Sequence, residues 1–276
     1  MANKKAAKEK QKPVQKAVQK PVSVIKNIKT DIPGFDTLFK DGIPAGASVL
    51  VEGGPGSGKT IFCLQVCINA CIRGLKALYM SFEEPEERLM KHMRNFGWDP
   101  EKFEKQGNLM IKRFSALDIA RSVEALLSEA NKELLIDIQP VLIPKEFKPD
   151  IVCIDSLSSI ASAFSGEESR FRIYMEQLFR YLESNNITSF LIREVPNPSH
   201  VGMTHDEKGE AVSFLSDGII VLYNVIYDDG SRGRAIEVLK MRGEDIQRRI
   251  AEAAILDRMG IVVYPQKTLK GTYRLT

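Results

Sequence analysis

The sequence predicts an α/β fold whose mostly parallel central sheet is flanked by helices, with a small antiparallel extension near the carboxyl end. Short apolar runs alternate with helical patterns along most of the chain, and such alternation brings strands into parallel pairing through crossover helices. The last part of the chain instead holds apolar runs separated by tight turns, which is typical of antiparallel strands. With 276 residues, of which 43% are hydrophobic, the chain can bury one full core.

A lysine-rich segment precedes the predicted domain. Residues 1–20 contain seven lysines and one glutamate, a net charge of +6, so the rest of the chain carries −3 of the total of +3. The segment has no apolar periodicity and its like charges repel one another. We therefore predict a disordered tail over residues 1–22 and a folded domain over residues 23–276. The tail is interpreted as a solubilising arm, with loose binding to nucleic acid or an anionic membrane as the alternative.

The sequence favours a cytoplasmic location. No stretch reaches the roughly 18 consecutive apolar residues that span a bilayer, and the lysine-rich start lacks the apolar centre of a secretory signal. Cys63, Cys67 and Cys71 recur every four residues on a predicted helix, where the outer two thiols lie roughly 12 Å apart and cannot share one ion. With Cys153 they are predicted to be small core residues, a usage that suits a reducing compartment.

The pattern G-x-x-x-x-G-K-T at Gly53–Thr60 follows one apolar run and opens another. In a strand–loop–helix unit this pattern binds a nucleoside triphosphate, because glycines let backbone N–H groups converge on phosphate oxygens and the helix start adds partial positive charge. Lys59 is predicted to bridge the β- and γ-phosphates, and the Thr60 hydroxyl to ligate Mg²⁺. The alternative, a glycine-rich turn before a buried helix, does not require a lysine at the helix start.

The other elements are predicted in chain order around this unit. Turn-rich residues 28–46 lead into it. Strand-like runs follow at Ala77–Phe82, Ile151–Ile154, Thr188–Ile192 and Gly218–Leu222, and helical patterns at Pro85–Phe96, Ala116–Asn131 and Glu168–Glu183. The antiparallel strands are predicted at Arg234–Leu239, Ala254–Leu256 and Ile261–Tyr264. Two loops remain, the surface insertion Pro140–Pro149 and the long loop 195–212, whose length is typical of functional or mobile segments.

Acidic residues are predicted to lie where parallel strands end. Asp155 closes one apolar strand, at the position where a P-loop protein holds the carboxylate that orients Mg²⁺ or its waters. Glu83 and Glu84 follow another strand, and a carboxylate at this edge can polarise a water for attack on the γ-phosphorus. We predict that Glu83 and Glu84 are the water-activating pair.

Two cationic residues end a later strand. Alternate residues of a strand share one face, so Lys240 and Arg242 are predicted to point to the same side. An arginine that contacts the phosphate being transferred lowers the activation free energy by roughly several kcal/mol. In ring-forming ATPases this arginine commonly comes from a neighbouring subunit. A solvated basic edge is the alternative.

Several motifs together resemble a KaiC domain of the RecA-like ATPase superfamily, over roughly residues 22–265. They are Gly42-Ile43-Pro44, the pair Glu83-Glu84 with Gly97-Trp98-Asp99, the run Ile154–Ser159, Ser216-Asp217 and Lys240–Gly243. The resemblance implies a RecA-like fold and a hexameric ring with ATP held between subunits.

Carried over residue by residue, the resemblance assigns nucleotide binding to Gly53, Gly54, Pro55, Gly56, Ser57, Gly58, Lys59, Thr60, Ile61 and Met241. It assigns catalysis to Glu83, Glu84, Lys240 and Arg242, and metal binding to Thr60 and Asp155. The second domain of the family phosphorylates itself on an adjacent Ser-Thr pair. Here Phe214 follows Ser213, which argues against autokinase activity, and a clock function does not follow from a single domain.

The sequence therefore favours a Mg²⁺-dependent ATPase ring that acts as a switch or timer in regulation, with itself and an unidentified regulatory protein as partners. A nucleic-acid motor is the first alternative, but the loop 195–212 carries acidic residues and no aromatic side chain for base stacking. An ATP-sensing scaffold that does not hydrolyse ATP is the second. His200 and His205, in the same loop, are not predicted to bind a metal.

Overall fold

The structure, a computed structural model, describes residues 27–130, 143–144, 146–195 and 212–276. Of residues 125–130 it describes the backbone alone. The predicted tail, most of the loop 195–212 with its two histidines, and part of the insertion Pro140–Pro149 lie outside the described residues.

Strands and helices alternate, as the apolar periodicity predicts. The strands are β1 Asn27–Ile28, β2 Ile43–Pro44, β3 Ser48–Gly53, β4 Ala77–Ser81, β5 Leu109–Arg113, β6 Ile151–Asp155, β7 Thr188–Glu194, β8 Gly218–Tyr227, β9 Arg232–Met241, β10 Ala251–Leu256, β11 Gly260–Tyr264 and β12 Tyr273–Leu275. The helices are α1 Lys59–Ile72, α2 Glu86–Asn95, α3 Pro100–Lys105, α4 Ala116–Ala130, α5 Leu157–Ala163 and α6 Glu168–Ser184, and a 3₁₀ helix covers Phe35–Leu38.

The main sheet has a parallel part and an antiparallel part. Strands β5, β4, β6, β7, β3 and β8 lie side by side in that order and are parallel. Strands β9, β10 and β11 continue from β8 as antiparallel neighbours, and β12 pairs with the far end of β8. The predicted fold class, a mostly parallel sheet with a small antiparallel C-terminal part, is confirmed.

The central strands are buried on both faces, which explains why they consist of continuous apolar runs. In β3, Val49 and Val51 pack into the hydrophobic cluster that contains α1, whereas Leu50 packs into the cluster that contains α5 and α6. All four cysteines are buried free thiols in the α1 cluster, as predicted for core residues. The Sγ atoms of Cys67 and Cys153 lie 3.4 Å apart, so α1 packs directly on β6.

Some elements are absent from the sequence prediction because they are short or only half apolar. Helix α5 has seven residues, and β5 is the last strand of the sheet on its side in the described ranges and exposes its last two residues. Strand β8 runs to Tyr227, beyond the predicted end at Leu222, because its second half pairs with β9 and β12. Helix α3 and strand β12 are further additions.

No helix in the described ranges is long and apolar enough to cross a membrane. The cytoplasmic location stays a prediction. The domain boundary after residue 22 also stays a prediction.

The hairpin formed by β10 and β11 is fastened to α1 by one buried side chain. The amide of Gln65 donates to the carbonyls of Met259 and Ile261, at 3.1 and 3.2 Å, and its oxygen accepts from the Ile261 N–H at 2.7 Å. At the turn, Gly260 has φ +79°, and a Cβ there would lie 2.5 Å from the Gln65 side-chain oxygen and 2.7 Å from the ring of Trp98. Both the left-handed backbone and the close approach therefore require glycine.

The end of the chain packs beside the loop that follows β3. Backbone N–H and C=O groups of Thr276 pair with those of Asn224, at 2.9 and 2.8 Å, and the Asn224 side chain donates to the Pro55 carbonyl at 3.1 Å. A Cβ placed on Gly54 would lie 3.5 Å from the Thr276 carbonyl carbon. Thr276, directly after β12, and Asn224 of β8 thus pack against this loop.

We expect Gly260→Ala to reduce the free energy of unfolding by roughly 2–5 kcal/mol, because it combines a left-handed alanine with an overpacked contact. Gly230→Ala is the matched control: its φ is +83°, but nothing lies within 4 Å of the added Cβ. The control should lose only about 1–2 kcal/mol, the backbone cost alone. Urea unfolding of the two variants measures the difference, and equal losses would show that the hairpin is not tightly packed on α1.

Candidate functional site

The glycine-rich loop lies at the carboxyl edge of the sheet, between β3 and α1. Gly56 and Gly58 have φ of +72° and +107°, in the left-handed region. A Cβ on Gly53 would lie 2.4 Å from the Leu222 carbonyl oxygen and 2.5 Å from Ser57 Oγ. The left-handed backbone and the lack of room for a Cβ therefore require glycine at these positions. The first N–H groups of α1 have no helical acceptors and face the loop.

Lys59 begins α1 with its side chain turned into the loop. Only 6% of the residue is exposed, and Nζ donates to the Gly54 carbonyl at 2.9 Å. Its second neighbour is Glu194, the last residue of β7, with Oε1 at 3.8 Å from Nζ. Burial lowers the pKa of Lys59, while the nearby carboxylates of Glu194, Asp155 and Glu83 act in the opposite direction. An ammonium held in this way is suited to a phosphate oxygen.

Thr60 and Asp155, the two residues predicted to bind a metal, lie in direct contact. The Thr60 hydroxyl donates to Asp155 Oδ2 at 2.9 Å, and the buried Tyr79 hydroxyl donates to the same oxygen at 2.6 Å. Burial raises the pKa of Asp155, and the two hydrogen bonds oppose this shift. A hydroxyl and a carboxylate at one point are oxygen donors of the kind that Mg²⁺ takes beside phosphates, so these residues fit that ion.

The two glutamates after β4 point to different neighbours. Glu83 Oε1 accepts hydrogen bonds from the hydroxyls of Ser156 and Ser159, at 2.6 and 2.9 Å, which places it beside the end of β6. Glu84 turns towards α2, where its Oε2 lies 3.5 Å from Arg88 Nε and 3.8 Å from His92 Nδ1. Of the predicted pair, the structure brings Glu83 to the Asp155 side of the site and Glu84 to the helix.

The segment Lys240–Arg242 lies at the opposite edge of the sheet. Met241 pairs with Gly218 of β8, and Gly218 pairs with Val49 of β3. The glycine-rich loop begins at Gly53, four residues after Val49, which is roughly 13 Å further along the strand. Lys240 Nζ donates to the carbonyls of Ser213 and Ser216 at 3.0 and 2.6 Å.

The neighbours of Lys240 have different surroundings. Arg242 donates to the Phe214 carbonyl at 2.7 Å, with more than half of its side chain exposed. The Met241 side chain is buried in the core, where its terminal atoms pack on Gly218. Within one chain, this segment and the glycine-rich loop are therefore not brought together.

Four residues of the site were not predicted from the sequence: Tyr79, Ser156, Ser159 and Glu194. The first lies inside an apolar strand and looks like a core residue. The sequence could have indicated Ser156, because a serine directly before a helix is a typical N-cap. Ser156 caps α5 in this way and accepts a hydrogen bond from the Ser159 N–H. Glu194 had the same signal as Asp155, an acid at the end of an apolar strand.

Comparison with known proteins identifies the family. A sequence model of the family described as "ATPase: KaiC" matches residues 28–268, most of the chain. The chain belongs to the KaiC ATPase family.

KaiC relatives of two lengths match the chain. It is 33% identical over 259 residues to a UPF0273 protein of Thermotoga maritima, covering 90% of this chain and all of that protein. It is 30% identical over 250 residues to the circadian clock protein KaiC3 of Synechocystis, covering 89% of this chain but only 47% of KaiC3. The chain thus spans about half the length of KaiC3 and the full length of the shorter relative.

A solved structure supports the same fold. A KaiC-like protein from Pyrococcus horikoshii OT3 superimposes with a TM-score of 0.69 at 28% identity, covering 88% of this chain and all of the other. The predicted KaiC-like, RecA-like identity is confirmed.

We expect Tyr79→Phe to raise the pKa of Asp155 further, because the carboxylate loses a hydrogen-bond donor. Because the pKa of Asp155 is higher in the folded than in the unfolded chain, its protonated carboxyl stabilises the fold at acidic pH. This stabilisation is lost as the pH rises through the folded-state pKa. The variant should therefore lose about 1.5–3 kcal/mol of unfolding free energy at neutral pH and clearly less near about pH 4.

Tyr174→Phe is the control for this experiment, because Tyr174 is also buried but its hydroxyl has no hydrogen-bond partner among the described residues. Denaturant titrations at several pH values make the comparison. A loss in Tyr79→Phe that is the same at every pH would contradict the proposed support of Asp155 by Tyr79.

Proposed function

We propose that the chain is a Mg²⁺-dependent ATPase that works in a ring and uses hydrolysis as a regulatory switch. The observation that carries the proposal is the convergence of Lys59, the Thr60–Asp155 pair and Glu83 at one edge of the sheet. A cation, a metal-binding pair and a carboxylate base are the components that phosphoryl transfer to water needs. Membership of the KaiC ATPase family supports the same activity.

The first part of the mechanism is binding. The backbone amides of the glycine-rich loop and Lys59 would hold the β- and γ-phosphates, with the ammonium neutralising charge that builds up in the transition state. Mg²⁺, held by Thr60 and Asp155, would supply further neutralisation of the phosphate oxygens when bound. The position of Asp155 is fixed by Tyr79, so the carboxylate is oriented before nucleotide arrives.

The second part is water activation by Glu83. The two serine hydroxyls both donate to Oε1, and among the described residues no hydrogen bond engages Oε2, which is thus able to accept from a water molecule. Glu83 would take a proton from this water as its oxygen attacks the γ-phosphorus. The bond from the γ-phosphorus to the bridging oxygen breaks, and ADP and inorganic phosphate leave.

A ring is proposed because the predicted cationic residues cannot serve the site of their own chain in this arrangement. Lys240 and Arg242 lie on the edge opposite the glycine-rich loop, where the Arg242 side chain is 55% exposed. Head-to-tail packing of identical chains would place this edge against the next subunit's loop and would close into a ring. Arg242 would then stabilise the γ-phosphate charge in trans.

The two alternatives make different demands. A non-hydrolysing scaffold needs the same phosphate site but no water activation, whereas the structure holds Glu83 in place with two hydroxyls. A nucleic-acid motor depends on the loop 195–212, of which residues 196–211 lie outside the described part of the chain. The ATPase switch therefore remains the proposal, and the regulatory partner is left unidentified.

We expect Glu83→Gln to retain ATP binding but to release phosphate roughly 10²- to 10⁴-fold more slowly, since it removes the base and leaves Lys59 intact. Lys59→Ala should lose ATP binding itself. Steady-state phosphate release and equilibrium ATP binding measure the two effects. Glu87→Gln, an exposed glutamate in the first turn of α2, is the control and should match the wild type. Wild-type protein that binds ATP without phosphate release would favour the scaffold instead.

Mixing two inactive variants tests the arrangement in trans. Glu83→Gln retains Arg242, and Arg242→Ala retains a complete phosphate site, so rings mixed in equal amounts should regain activity at about a quarter of their sites. Arg248→Ala, an exposed arginine in the same region, should be active on its own. Subunits must exchange freely, which a fluorescence-transfer assay between labelled copies establishes. No recovery in exchanged rings would exclude a catalytic Arg242 from the neighbouring subunit.

A further inference from the structure

Glu194 is held beside the glycine-rich loop by its backbone. It pairs in parallel register with Gly53, the first residue of that loop. Its N–H donates to Ser158 Oγ at 2.9 Å, and the N–H of Val195 donates to the Gly53 carbonyl at 3.3 Å. These contacts fix the start of the side chain at the edge of the phosphate site, where neither the family resemblance nor the proposed mechanism gives it a role.

The side chain of Glu194 supplies a negative charge to a lysine that has little access to water. Lys59 is 6% exposed, and its ammonium can donate three hydrogen bonds, of which the Gly54 carbonyl takes one. The Glu194 carboxylate, 3.8 Å away, forms the ion pair of Lys59 in the described part of the chain. Of the three carboxylates that favour the charged ammonium, Glu194 acts most strongly.

The arriving γ-phosphate would meet this pair. A triphosphate needs the Lys59 ammonium for its terminal phosphate, so Glu194 either gives up its partner or is left beside a group of like charge. A diphosphate also reaches Lys59 through its β-phosphate, but it leaves the γ-phosphate position empty and brings less negative charge towards Glu194. The penalty is therefore larger for a triphosphate than for a diphosphate.

We propose that Glu194 is a displaceable counterion of Lys59, which the γ-phosphate of ATP must replace and which thereby weakens ATP binding relative to ADP binding. This inference rests on the proposed function, since it assumes that nucleotide phosphates bind at Lys59. It makes Glu194 a residue that sets the preference between nucleoside triphosphate and diphosphate.

The test compares Glu194→Gln with wild-type protein by calorimetric titration of ADP and of a non-hydrolysable ATP analogue, both with Mg²⁺. Glutamine keeps the shape of the side chain and removes its charge. We expect the analogue to bind roughly three- to tenfold more tightly to the variant, and ADP to bind within about twofold of wild type. Because about half of the Glu194 side chain is exposed, the gain should shrink in high salt.

Two further measurements make the experiment decisive. Glu183→Gln, which removes an exposed carboxylate at the far end of α6, should change neither affinity, so a general charge effect is excluded. Thermal unfolding of the nucleotide-free protein should show a lower Tm for Glu194→Gln, because Lys59 then lacks its counterion.

Equal changes for the two nucleotides, or weaker binding of the ATP analogue to Glu194→Gln, would overturn the counterion role and leave the proposed ATPase standing. Wild-type protein that binds neither nucleotide, with Lys59→Ala no different, would overturn the proposed function and this inference with it.

Discussion

The site depends on the parallel pairing of β3 with β7 and of β7 with β6. Carboxyl ends of neighbouring parallel strands meet at one edge of the sheet, so residues far apart in the chain become neighbours there. Lys59 and the carboxylates of Glu83, Asp155 and Glu194 gather at this edge, and burial makes the charged state of Lys59 and of Asp155 less favourable than in water. The proposed ligand, a triphosphate with a divalent cation, would add both signs of charge to these groups.

The rest of the fold makes that edge rigid. Helix α1 carries Lys59 and Thr60 at its start, packs on β6 through its cysteines, and is fastened on its other side to the C-terminal hairpin by Gln65. The same hairpin places the Ile255 side chain 3.1 Å from the position of a Cβ on Gly58. The antiparallel extension therefore supports the phosphate loop directly and is part of the machinery that orients Lys59.

The sequence locates the candidate site residues that belong to a local pattern, and it misses those whose position depends on strand register. The phosphate loop lies within eight consecutive residues, and Asp155 ends an apolar strand, so both are visible without a structure. Tyr79 reaches Asp155 across 76 residues, and only the pairing of β4 with β6 brings the two together. Glu194 also ends an apolar strand, but its position beside Lys59 follows only from its pairing with Gly53. Arg242 lies at the opposite edge because β9 runs antiparallel to β8 and ends beside the start of that strand.

The packing of Thr276 beside the glycine-rich loop affects where a label can be attached to this protein. The backbone of Thr276 is hydrogen-bonded to that of Asn224 and packs on Gly54, so any group attached directly after Thr276 would begin beside the glycine-rich loop. Such an attachment would disturb the very groups that a nucleotide assay is meant to report on, and labels for purification or imaging belong elsewhere on the chain.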